Sequence, residues 1–156
     1  MSYKKKTLTL NKLLNFLTKA RKTQKKIIFT NGCFDIIHSG HISLLEKAKA
    51  IGDILIVGLN ADSSVKKLKG NTRPINKEKD RATVLSAIEM VDKVIIFKED
   101  TPHEILKFIR PDVLVKGADY KHSKIVGTEF AKKTVRIKLI KGQSTSQIIK
   151  KLKTTD

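Results

Sequence analysis

Lys26-Ile27-Ile28-Phe29-Thr30-Asn31-Gly32-Cys33-Phe34-Asp35-Ile36-Ile37-His38-Ser39-Gly40-His41 decides the fold of this chain. Residues 26–30 form a short, mostly apolar run of the kind that becomes a buried parallel strand. Residues 31–35 read as the loop at that strand's end. From Gly40 a helical pattern runs to residue 51 and stops at Gly52, a residue suited to the turn that ends a helix. Two imidazoles, His38 and His41, therefore stand where a helix begins. Such a tip carries unpaired backbone N–H groups and the positive end of the helix dipole. Gly40 permits close backbone approach, and both rings can face the same way as the amides. The combination suits the α-phosphate of a nucleoside triphosphate, where charge builds up during nucleotidyl transfer.

Outward from this stretch, strands and helices alternate. Leu10, Leu13, Leu14 and Leu17 fall at helical spacing, which predicts an amphipathic helix over residues 10–21 with Thr9 as its N-cap. It is expected to cover the outside of a sheet. Further strands are predicted at residues 53–59, 94–97, 112–115 and 135–140. Helices are predicted at 77–90, at 124–132 and at 144–152. Another is opened by Thr101-Pro102, with the proline in its first position, and closed at Arg110-Pro111. Residues 60–76 are the longest irregular stretch and read as a mobile loop. The pattern predicts a single Rossmann-like, doubly wound α/β domain on a five-stranded parallel sheet. Residues 1–24 are expected to form an N-terminal helical extension, and 25–156 the domain proper. Ligands of such sheets bind beyond the carboxyl ends of the strands, so loops 31–40, 60–74, 116–120 and 141–146 are expected to carry the site.

Composition narrows the function classes. At 156 residues there is room for one core, and no run of about 20 apolar residues is present to span a membrane. The basic start lacks the apolar stretch of a secretory signal. Cys33 is the only cysteine, so no internal disulfide forms and a cytoplasmic location is expected. The net charge of +18 raises a nucleic-acid reading. Against it, only five of the 33 basic residues are arginines, aromatics are 5% with no tryptophan, and the lysines are spread along the chain. No specific nucleic-acid partner is expected; the charge favours phosphorylated substrates in a salt-dependent way. A nucleic-acid-binding module built on the same fold is the reading from a different class.

Gly32-Cys33-Phe34-Asp35, His38-Ser39-Gly40-His41 and Ser144-Thr145-Ser146 occur in that order. This resembles the cytidylyltransferase-like branch of the nucleotidyltransferase superfamily, with its G-x-F-D, H-x-G-H and S-T-T-like signatures. More closely, the chain is similar to the D-glycero-β-D-manno-heptose 1-phosphate adenylyltransferases. The stretches that carry this are Phe29–Ile36, Gly58-Leu59-Asn60-Ala61-Asp62-Ser63-Ser64-Val65, Leu68–Asn76 and Asp112–Tyr120, so that the resemblance covers residues 25–152. The family also includes bifunctional kinase/adenylyltransferases, and a stand-alone form is expected here. A cytidylyltransferase acting on glycerol 3-phosphate or a phosphorylated alcohol amine is the alternative.

The resemblance implies transfer of AMP from ATP to a sugar 1-phosphate, with Mg2+ delivered by ATP, no certain metal ligands in the protein, and a homodimer. The attacking phosphate is already anionic, so positioning and charge stabilisation are needed rather than a general base. His38 and His41, with Lys69, are the expected catalytic residues. Thr30, Asn31, Gly32, Cys33, Phe34 and Gly40 are expected around the nucleotide, with Cys33 also readable as a loop filler. Lys116, Gly117 and Asp119 are expected near the nucleobase and ribose, a stretch that favours ATP over CTP. Ser144, Thr145 and Ser146 either cap the last helix or hold the β- and γ-phosphates. Asp35 either fixes its loop or, with Asn60, Asp62 and Arg73, meets substrate. Arg81 reads equally as a surface pair or a phosphate contact. His103 and His122 read as surface residues. Two departures stand out: Lys141 replaces a commonly acidic residue, and Ser146 replaces the second threonine of S-T-T.

Overall fold

A computed structural model describes residues 2–117 and 124–154. Eleven elements follow in order: α1 (Leu10–Lys22), β1 (Ile27–Gly32), α2 (Ser39–Lys49), β2 (Ile54–Asn60), α3 (Asp62–Lys69), α4 (Glu78–Ala87), β3 (Lys93–Phe97), α5 (His103–Ile109), β4 (Val113–Gly117), β5 (Lys133–Ile137) and α6 (Thr145–Lys153). All five strands are parallel, in the order β3-β2-β1-β4-β5. The chain winds from β1 to one edge and then returns to build the other. This puts the topological switch point between β1 and β4, where a crevice opens at the strands' carboxyl ends.

Side chains alternate across the sheet and so build two cores. Ile28, Leu55, Val57, Val113 and Val115 face Leu44, Leu45 and Ala48 of α2 and Ala82 and Leu85 of α4. Ile27, Phe29, Ile56 and Leu114 face Leu13, Leu17 and Ala20 of α1 and Ile105, Leu106 and Ile109 of α5. Leu13 and Leu17 are fully buried, each worth about 2 kcal/mol of apolar burial. The expected doubly wound sheet is thus present, and α1 is part of its second core. The segment before α1 also covers the β3 edge: Leu8 N–H donates to Val94 O at 2.9 Å, and Val94 N–H to Lys6 O at 3.0 Å.

Local readings differ in several places. The supposed irregular stretch 60–76 contains α3. Its two apolar residues and its Asp-Ser-Ser start give little helical signal. Tertiary bonds fix it instead: Asn60 Nδ2 donates to the Ser64 hydroxyl at 2.9 Å, and that hydroxyl donates to Glu99 O at 3.1 Å. The helix expected at 124–132 is a single 3-10 turn, Thr128–Phe130, because Gly127 sits at φ +86° and breaks the helical run. β5 begins two residues earlier than expected and ends at Ile137. Thr9 holds the cap position of α1 but makes no side-chain capping bond, and Pro102 caps α5 rather than opening it.

Candidate active site

β1 ends in a strained loop. Phe34 is held at φ +45°, a conformation that costs a bulky residue on the order of 1 kcal/mol. A Cβ on Gly32 would lie 3.1 Å from the Phe34 ring, so glycine lets the ring fold back beneath the loop. Phe34 is buried, and its ring centroid lies 5.1 Å from that of His41. The strain is fixed by packing at the point where the strand hands over to α2.

His38 caps α2 and His41 lies in its first turn, with ring centroids 3.8 Å apart and stacked. The His38 backbone N–H donates to His41 Nδ1 at 3.4 Å. That bond leaves the His41 ring proton on Nε2, as a donor. Burial pushes the His41 imidazole down to about 4, with His38 adding to the shift, and burial also lowers His38. At neutral pH the rings are therefore uncharged hydrogen-bond donors. His38 Nδ1 is the one buried side-chain polar atom among the described residues that has no partner. A Cβ on Gly40 would meet the His38 ring at 3.0 Å, so this glycine is what lets the ring lie over the helix tip.

Around this tip lies a cleft of about 650 Å³. It is lined by Thr30, Asn31, Gly32, Cys33, Phe34, Asp35, His38, Gly40, His41, Asn60, Lys69, Arg73, Lys116, Gly117, Ser144, Thr145 and Ser146. One fold site thus gathers nearly all the residues expected from sequence. Burial raises the Cys33 thiol, with Lys69, Arg81 and Arg73 opposing the shift. Ser144 caps α6, its hydroxyl accepting from Gln147 N–H at 3.2 Å. The Thr145 hydroxyl donates to Ile36 O at 3.1 Å and ties α6 to the histidine loop.

Two expected substrate residues turn away from the cleft. The Arg81 side chain is fully buried, neither a surface pair nor a cleft cation. It donates to Asn76 O at 2.9 Å, Cys33 O at 2.6 Å and Asn60 O at 2.9 Å, and it pairs with Asp62 at 2.8 Å. Asp62 is spent on that pairing, and neither residue lines the cleft. Asp35 accepts from Arg73 at 2.7 Å and from the Ile75 and Asn76 N–H groups at 2.8 Å each. Burial raises the Asp35 carboxyl, but those bonds together outweigh it and hold its pKa below the usual range. Asp119 and His122 lie outside the described residues.

The sequence reading passed over Asp100, Thr101 and Pro102, in the loop after β3, and Lys124 and Gln143. The signal for the first three was present, since their loop also follows a strand's carboxyl end. Among the described residues no group of three or more His, Cys, Asp or Glu is placed to hold a metal, and no helix is long and apolar enough to cross a membrane.

A parallel sheet with a histidine-capped helix tip beside its switch point is the frame of a nucleotide-binding α/β domain. Residues 29–155 match the cytidylyltransferase-like family, and the chain belongs to it. It is 55% identical over 150 residues to the bifunctional protein HldE of Helicobacter pylori (strain P12), covering 96% of this chain and 32% of that protein. It is 58% identical over 137 residues to the bifunctional protein HldE of Campylobacter jejuni subsp. doylei, covering 88% of this chain and 30% of that one. The chain therefore spans about a third of the length of these curated relatives. Among solved structures, it is similar to the lipopolysaccharide core biosynthesis protein of Thermoplasma volcanium GSS1. The TM-score is 0.64 at 30% identity, covering 74% of this chain and 98% of that one.

Proposed function

We propose that this chain transfers AMP from ATP to D-glycero-β-D-manno-heptose 1-phosphate, giving ADP-heptose and pyrophosphate for lipopolysaccharide core synthesis. We place the reaction in the cytoplasm and assign it to a homodimer. The observation that carries the reading is the stacked His38–His41 pair at the tip of α2, opening into a cleft at the switch point. The identity to HldE proteins over almost the whole chain supports the acceptor class.

An oxygen of the sugar phosphate attacks the α-phosphorus of ATP. A new P–O bond forms, the α–β bridging P–O bond breaks, and pyrophosphate leaves with the bridging oxygen. The nucleophile is anionic at neutral pH, so no side chain need remove a proton. His41 Nε2–H and the His38 ring donate to the phosphate oxygens as charge grows on them, and the first-turn amides of α2 add to that field. The end of β1 and the loop after it, residues 30–34, wrap the triphosphate. The Ser144 and Ser146 hydroxyls hold its β- and γ-phosphates, while Thr145, whose proton goes to Ile36 O, anchors α6. Lys69 and Arg73 approach pyrophosphate from the opposite wall. Gly117 faces the nucleoside and Asn60 the acceptor, while Asp119 is assigned to the nucleoside on the resemblance alone. Mg2+ enters as part of the substrate, Mg–ATP. Asp35 has both carboxylate oxygens engaged by the protein, so the phosphate oxygens supply the metal's ligands.

Pyrophosphate release is the test, with ATP and CTP each offered against heptose 1-phosphate and glycerol 3-phosphate. Turnover is expected with ATP and heptose 1-phosphate. Turnover confined to CTP and glycerol 3-phosphate would overturn the assignment in favour of the cytidylyltransferase alternative.

A further inference from the structure

Building on the nucleotidyl transfer proposed above, we infer that Lys116 supplies the positive charge that meets the reacting α-phosphate, with Asn31 as its positioning partner. The histidine pair is the obvious place to look for that charge, yet burial pushes both imidazoles toward the neutral form, so that at neutral pH they offer hydrogen bonds rather than charge. The cation must come from elsewhere in the cleft. Arg73 is already neutralised by Asp35 at 2.7 Å. Lys69 and Lys124 are exposed, where water screens them.

Lys116 differs from all three. It stands at the carboxyl end of β4, half-buried on the cleft wall, and its Nζ donates to Asn31 Oδ1. Asn31 belongs to β1, the strand across the switch point, so the contact spans the crevice. Among the described residues no carboxylate pairs with this ammonium; its partner is a neutral amide. Leu139 packs within 2.9 Å of where a Gly117 Cβ would lie and walls in the same strand end. Burial pushes the Lys116 ammonium down to about 8, as expected of a charge lacking its counter-ion. A half-buried cation with no carboxylate partner among the described residues is poised for a bound anion. Lys116, Asn31, His38 and His41 line one cleft, and the loop after β1 joins Asn31 to the histidine tip, so the reacting phosphate is inferred to lie between them. The histidines approach it from α2 and Lys116 from β4.

Two measurements on Lys116→Met, a variant of similar length without charge, test this. The first needs no turnover: AMP, which carries the α-phosphate, and adenosine are titrated into wild-type and variant protein. Wild-type protein should prefer AMP, and the folded variant should narrow that preference at least ~10-fold. An unchanged preference in the variant, or a wild-type protein that binds adenosine as well as AMP, overturns the inference. The second is steady-state pyrophosphate release. There Lys116→Met should lose about 100-fold in kcat beside any rise in KM for ATP, and Lys116→Arg should recover most of it. A rise in KM alone, or a kcat within threefold of wild type, overturns it too. If wild-type protein shows no transfer from ATP while the AMP preference still depends on Lys116, the proposed reaction fails and the anion site stands.

Discussion

The two walls of the cleft are built in opposite ways. On the β2 side the buried charged groups are saturated: Arg81 bonds to three backbone carbonyls and Asp62, and Asp35 to Arg73 and two amides. On the β4 side, Lys116 holds one amide oxygen, and α6 reaches the cleft with no fully buried residue of its own. Saturation marks scaffold, because a buried polar group without a partner is costly unless something later supplies one. The undersaturated wall is where a ligand completes the structure. His38 Nδ1, orphaned at the helix tip between the two, belongs to the second kind.

The contrast is broken most severely by Arg81→Met. Removing that guanidinium leaves the Asp62 carboxylate and three carbonyls without their donor. Asp62 keeps some contact with water, but the carbonyls lose a buried donor, and the loss expected is about 3 kcal/mol. Urea unfolding should show that loss, and a loss under 1 kcal/mol would mean that Arg81 is not the linchpin of this wall. The open side answers differently. His38→Ala or His41→Ala should leave stability within about 1 kcal/mol at pH 8 while cutting kcat at least ~100-fold, as for a donor aimed at developing charge. Near-wild-type turnover in both would remove the helix tip from the chemistry.

Acid should separate the walls next. His41 is held at about 4 when folded, against an ordinary 6.5. Below pH 6.5 the unfolded chain takes up a proton that the folded protein refuses. Stability is therefore full above that pH and falls as pH drops toward 4, by up to about 3 kcal/mol. Asp35, held low, keeps its contribution through the same window and loses it only in stronger acid. Unfolding free energy measured from pH 7.5 to 4.5 should fall in wild type and much less in His41→Asn. Parallel curves would show that the imidazole is not buried neutral.

This division also explains what could be read without coordinates. Ile27 to Thr30, Leu55 to Val57 and Val113 to Val115 announce buried strands because local apolar runs and local burial coincide. Gly40 between two histidines announces the site, since its chemistry lies within four residues. Arg81 could not be placed, because a lone arginine in a helical pattern looks the same whether it meets water or the carbonyls of Cys33, Asn60 and Asn76. The same holds for α3, whose helix depends on Ser64 bonding to Asn60 and Glu99 rather than on apolar period. Strand order is likewise a property of the assembled sheet, and so the facing of Lys116 and Asn31 across the switch point is too.

The smallest effect is expected at Lys141, whose charge departs from the pattern of the resembling enzymes. It is exposed and does not line the cleft, and the next residue, Gly142, turns the chain at φ +77° before α6 begins. Its ammonium therefore acts only through solvent, where salt screens it beyond about 8–10 Å. Lys141→Glu should raise KM for ATP less than about threefold, and that change should shrink further as salt is added. Acceptor choice should not change, because Lys141 does not line the cleft. A switch of acceptor in Lys141→Glu would mean that the open wall extends past α6 and that the sugar lies over the loop of residues 141–143.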